Sequence, residues 1–162
     1  MSSSIVQNTP NKIVGSTMKL FYAFGIAQGF IIFVFLFIND FKVEISFNAT
    51  DILSFIIPSF LFVSIFLGKF LFKKNISEIK KTETLSKKLG SYQTAFIIQA
   101  AIAEGVTILA IIIYGQNVNL LFLAVSLVSL LYYLTLKPSK EKIINDLQLN
   151  IEERQSLNLG KI

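Results

Sequence analysis

Two side chains in this sequence are out of keeping with their surroundings. Glu104 is the only charge between Lys88 and Lys137, in a largely apolar stretch. Gln28 sits in a similar stretch near the other end of the chain. A charge at the centre of a membrane helix costs roughly 2.5–3.5 kcal/mol. A carboxylate in that position is therefore neutralised by a partner or put to use. Three kinds of chemistry suit it. It can clasp another polar side chain in neutral form, pair with a basic residue of another subunit, or bind a proton or cation during transport.

The two residues are related. Aligning Gln28 with Glu104 lays Gly25-Ile26-Ala27-Gln28-Gly29 over Ala101-Ile102-Ala103-Glu104-Gly105, and Ile32 then falls on Ile108. Gly25 with Gly29, and Ala101 with Gly105, are small-xxx-small pairs of the kind that lets helix backbones approach in lipid. On a helix the polar residue is offset by about 60–100° from those small residues. Packing through the small faces would put Gln28 and Glu104 at the edge of one contact. The default expectation is a clasp in which a neutral Glu104 carboxyl donates to the Gln28 amide oxygen.

Most other chemistry is excluded by composition. The sequence has no cysteine and no histidine. Iron–sulfur and zinc sites lose their usual ligands, and haem loses its common ones. Histidine acid–base catalysis is absent as well. There is no His-Glu-x-x-His and no phosphate-binding glycine loop ending in Lys-Ser/Thr. A second buried acid that could complete a carboxylate pair with Glu104 is also missing. The expectation is a protein that is not an enzyme and holds no metal or cofactor.

The elements that must position Glu104 and Gln28 read clearly. The chain has 162 residues, 53% of them hydrophobic and only 15% charged. Soluble domains run near 25% charged, so the shortfall points to lipid as solvent. Four apolar segments of about 17–23 residues are expected to cross the bilayer, at about 17–38, 52–72, 92–114 and 120–136. Residues 1–16 read as a flexible polar lead, and residues 137–162 as a helical tail. Pro58 falls inside the second span and removes one helix hydrogen bond. Ser54 and Ser59 are placed to satisfy the groups it frees. Gly115, Gln116, Asn117 and Asn119 signal a tight turn between spans three and four. The fold class expected is an all-α integral membrane protein: four transmembrane helices as two in–out–in hairpins, with an internal repeat, plus a cytosolic amphipathic C-terminal helix.

Charge sets the orientation. Lys73, Lys74, Lys80, Lys81, Lys87 and Lys88 cluster between spans two and three, and Lys137, Lys140 and Lys142 follow span four. The segment between spans one and two is net acidic, with Asp40, Lys42, Glu44 and Asp51. The positive-inside rule puts both termini in the cytosol. The net charge of +5 thus reflects topology and anionic headgroups rather than nucleic acid. All five tyrosines, Tyr22, Tyr92, Tyr114, Tyr132 and Tyr133, fall near expected interfaces, where amphipathic rings settle. In the tail, Ser139 is an expected N-cap, and Asn150 another, with Glu152 and Glu153 in the turn that follows. All but two of the 16 phenylalanines, Phe96 and Phe122, lie at or before Phe72.

Ala101-Ile102-Ala103-Glu104-Gly105 and the aliphatic run after it resemble the carboxylate-bearing helix of rotary ATPase proteolipids. That resemblance implies a mid-membrane acid that binds H⁺ or Na⁺. It covers this segment alone. Span two lacks the family's glycine-rich repeat, the loop from Lys73 to Lys88 is longer than a proteolipid hairpin, and span one carries Gln28 instead of an acid.

The expected function is that of a small multi-pass inner-membrane protein. It would act as a non-enzymatic accessory or scaffold subunit, in contact with the lipid bilayer and with other membrane subunits or copies of itself. The rival is an oligomeric transporter or proteolipid-like H⁺/cation-binding protein that uses Glu104.

Overall fold

A computed structural model describes residues 3–45 and 52–158. Asp51 and residues 159–162 lie outside the described residues. Most of the described residues are helical. Six helices follow one another: α1 (Ser3–Ile38), α2 (Leu53–Ser77), α3 (Leu85–Asn117), α4 (Leu120–Thr135), α5 (Lys140–Asp146) and α6 (Ile151–Asn158). α1, α2 and α3 are each long and apolar enough to cross a membrane. α4 makes a fourth crossing when taken with α5, to which it is bent by 78°. Its 16 residues cover about 24 Å of a hydrocarbon core roughly 30 Å thick. The chain is thus an all-α, multi-pass membrane protein in a lipid environment.

α3 is the axis of the bundle. α1, α2 and α4 each pack against it, whereas α1 and α2 make little contact with one another. The two halves of the alignment are therefore used differently, with α3 at the centre and α1 at the side. α1 and α3 still run parallel and level with each other. Gln93 donates to Ser16 at 3.2 Å, Thr107 donates to Gln28 at 3.0 Å, and Phe35 lies beside Gly115.

The helices extend past the expected spans. α1 is helical from Ser3, so the residues read as a flexible lead continue the first span. Lys73 and Lys74 belong to α2, and Lys87 and Lys88 to α3, which shortens the lysine-rich loop to residues 78–84. Pro58 lies within α2, and the Ser59 hydroxyl donates to the Phe55 carbonyl at 2.7 Å. The turn after α3 also differs in detail. Gly115 is still helical, and the chain reverses at Val118, which is left-handed with φ 53°. Asn119 caps α4 by accepting from the Leu121 N–H at 2.9 Å.

Two apolar clusters fill the interior. One, around Ile32, Ile57, Ile111 and Phe122, lies towards the α3–α4 turn. The other, around Phe21, Leu89, Phe96 and Tyr133, lies towards the lysine-rich end and takes in Ile143, Leu149 and Leu157 of the tail. The tail therefore packs under the bundle. Both expected caps form: Ser139 accepts from the Lys142 N–H at 3.1 Å, and Asn150 from the Glu153 N–H at 2.8 Å. Glu153 returns the contact by accepting from the Asn150 N–H at 2.9 Å, which completes a capping box.

Three tyrosines act as pins inside the bundle as well as marking its ends. Tyr92, Tyr114 and Tyr133 are almost fully buried. Their hydroxyls donate to the Asp146 carboxylate, the Lys42 carbonyl and the Phe21 carbonyl respectively. A buried hydroxyl without such a partner would cost a few kcal/mol, so each ring binds its helix to a neighbour.

Candidate functional site

The candidate site is built on one stretch of α3. Ala103 and Thr107 share the face that meets α1 and α4. The Ser129 hydroxyl of α4 donates to the Ala103 carbonyl at 2.9 Å. The Thr107 hydroxyl donates to the Gln28 amide oxygen at 3.0 Å and also lies 3.3 Å from the Ala103 carbonyl. Gln28 is fully buried, and its amide nitrogen has no hydrogen-bond partner. The polar contact between α1 and α3 is therefore Gln28–Thr107 and not Gln28–Glu104. The reason is angular. Thr107 is four residues from Ala103, on the same helix face, while Glu104 is turned by about 100°.

Glu104 is partly exposed on α3. It is close enough to Tyr133 of α4 for the two to interact electrostatically. Among the described residues, no hydrogen bond or salt bridge reaches its carboxylate. No cluster of three or more acidic, histidine or cysteine side chains that could hold a metal is found among them either.

The small residues are divided between inside and outside. Gly25 is used within the bundle, where a Cβ would lie 3.3 Å from the Tyr133 ring. That ring stacks on Phe21 at 5.2 Å between centroids, and its hydroxyl reaches the Phe21 carbonyl at 2.7 Å. So Gly25 makes room for α4 rather than α3. Gly29 and Gly105 have nothing within 4 Å of a built Cβ, and Ala101 and Gly105 are exposed. The expected close packing of α1 on α3 through these small residues does not form. Ala101 and Gly105 instead look outward on the lipid side of α3. A shallow apolar groove of about 280 Å³ runs past Gly105, between Ile102 and Leu109 of α3 and Phe60 and Leu67 of α2.

The sequence reading missed Thr107, and the signal for it was present. A hydroxyl one turn beyond Ala103, on the face opposite the small-xxx-small pair, is where an inward polar partner for span one had to lie. It also missed Lys88, which is only 5% exposed and whose ammonium meets Glu153 of α6 at 2.7 Å. Nearby, burial raises the Asp146 carboxyl above its ordinary value, an effect opposed by Lys142 and by the Tyr92 hydroxyl.

Comparison with protein-family models, with curated proteins and with solved structures found no significant match for this chain.

Proposed function

We propose that this chain is a non-enzymatic accessory or scaffold subunit of a complex in the inner membrane, with both termini in the cytosol. One observation carries the reading. Glu104 is offered at the flank of α3 with no hydrogen bond or ion pair to another described residue, beside an Ala101/Gly105 strip that the internal packing leaves open. A carboxylate at mid-membrane depth is stabilised by an opposite charge or a hydrogen-bond donor. Small residues four apart favour close approach of a second helix. Together they describe a lateral contact for a transmembrane helix of another subunit, with a Lys, Arg or polar side chain that meets Glu104. The exposed Phe30, Phe33, Phe37, Phe62, Phe66 and Phe70 of α1 and α2 supply further apolar surface to lipid or partner.

The test is extraction in a mild detergent, with the mass of the particle measured for the native chain and for Glu104→Gln. A complex larger than one chain that Glu104→Gln dissociates, while the monomer stays folded, supports the proposal. A folded monomer from the native membrane sinks it.

A further inference from the structure

At the lysine-rich end, a cleft of about 320 Å³ opens between the end of α2, the α2–α3 linker, the start of α3 and the α5–α6 turn. One wall is apolar: Phe72, Ile76 and Leu147. The rim is basic: Lys73, Lys80, Lys81 and Lys88. Lys88 is occupied by Glu153, and the one carboxylate of the cleft, Asp146, is engaged by the Tyr92 hydroxyl and faces Lys142. Lys73, Lys80 and Lys81 have no ion-pair partner among the described residues. The linker carboxylates Glu78 and Glu83 line a separate cleft on its other side. Two of the last carbonyls of α2, which would repel an anion, are already taken. The Glu78 N–H points to the Lys74 and Ile76 carbonyls, and the Ser77 hydroxyl donates to Lys74.

The depth is marked by two cation–ring contacts. Lys69 lies 5.9 Å over the Tyr132 ring, and Lys137 lies 5.7 Å over Tyr22. Snorkelling lysines and tyrosines of this kind settle at the headgroup boundary. Phe72 and Lys73 follow Lys69 by one turn, so the cleft opens at headgroup level with its apolar wall towards the hydrocarbon. The floor adds a local oddity. Gln148 holds a left-handed backbone, φ 49°, at the end of α5, where glycine is the usual residue. Its side chain lines the cleft.

We propose that this cleft binds a phosphate group at the membrane surface, supplied by the headgroup of an anionic phospholipid. The phosphate sits among Lys73, Lys80 and Lys81, the Gln148 amide offers a hydrogen bond, and the glycerol and upper acyl chain lie along Phe72, Ile76 and Leu147. Basic pockets between membrane helices select anionic headgroups in this way.

The experiment uses the full chain in a nonionic detergent and follows its thermal unfolding midpoint. Phosphatidylglycerol, phosphatidylcholine and inorganic phosphate are titrated separately. Two triple variants are compared: Lys73→Gln/Lys80→Gln/Lys81→Gln in the cleft, and Lys12→Gln/Lys74→Gln/Lys87→Gln outside it. All six side chains are exposed, so both variants keep the fold. Phosphatidylglycerol should raise the midpoint at concentrations where phosphatidylcholine does not. A lysine in contact with an anionic headgroup is worth about fivefold in affinity, so the cleft variant should lose at least about tenfold in apparent affinity. The control should lose no more than about threefold. Protection by inorganic phosphate with the same lysine dependence, and none by the lipid, would keep the phosphate site and overturn the lipid as its source. Equal losses in the two variants, or equal protection by both lipids, would overturn the site.

Discussion

Glu153→Ala tests how the tail is held. The Glu153 carboxylate does two things at once. One oxygen meets the Lys88 ammonium at 2.7 Å, and the other accepts from the Asn150 N–H at 2.9 Å. The two side chains of the ion pair are 6% and 14% exposed, so water cannot readily replace a missing partner. Removing one member of a buried pair costs about 3–5 kcal/mol, because the other is left uncompensated. Partial access at the membrane surface and the reach of the lysine stem bring the expectation to about 2–3 kcal/mol, with loss of the capping contact included. α6 opens alone more easily than the bundle unfolds. That energy should therefore appear as about 30- to 150-fold faster amide exchange across α6. Hydrogen exchange read by mass spectrometry on a peptide covering Ile151–Leu157 measures it, with a peptide from the centre of α3 as internal reference. Glu153→Gln should cost less, because its one amide oxygen can still accept from one of the two donors. The double variant Lys88→Met/Glu153→Met should cost less than the sum of its single changes, because no charge is left unpaired. Exchange in α6 within about threefold of the native chain, or strictly additive changes in the double variant, would refute the idea that this pair docks the tail.

Three further outcomes are expected. Gly115→Ala places a methyl 2.5 Å from the Phe35 ring, so that ring or its helix must shift. Overpacking of this kind costs about 1–3 kcal/mol. It should lower the thermal midpoint in detergent, and adding Phe35→Ala should remove the clash part of that loss. Tyr133→Phe removes the hydroxyl bond to Phe21 but keeps the ring stack, so the loss should be about 0.6 kcal/mol, the average for such bonds in membrane bundles, and no more than about 1.7 kcal/mol. Asp146 has a raised carboxyl in the folded state, so the native chain binds a proton more tightly there than the unfolded chain does. Its contribution therefore weakens tail docking as pH rises from the ordinary carboxylate value of 3.8 through the raised value. Asp146→Asn should flatten that part of the pH profile of tail docking without loosening the tail at neutral pH, and a profile unchanged by the substitution would contradict it.

What was legible in the sequence follows the length scale of each signal. The three long apolar runs and the shorter fourth one gave the helices, because lipid demands internally bonded backbone. Ser139 and Asn150 announced the tail helices because a cap is a contact within four residues. The alignment of Gln28 with Glu104 gave the parallel course and matching depth of α1 and α3. It did not give the partner, because repeat correspondence fixes depth and not the direction in which a side chain points. Thr107 won the contact through its position on the inner face. The central place of α3 was equally hidden: apolar all round, it carries no stripe that says which neighbours it has. Lys88 was counted with its exposed neighbours as loop charge, since its partner Glu153 lies far along the chain and only the folded tail brings them together.

The central claim is that Glu104 and the open Ala101/Gly105 strip meet another membrane helix. The most direct measurement is the mass of the particle released from native membranes by mild detergent, compared between the native chain and Glu104→Gln. The account predicts a particle heavier than one 18.2 kDa chain that Glu104→Gln takes apart, leaving a folded monomer. A native chain that emerges as a lone, folded monomer would contradict it.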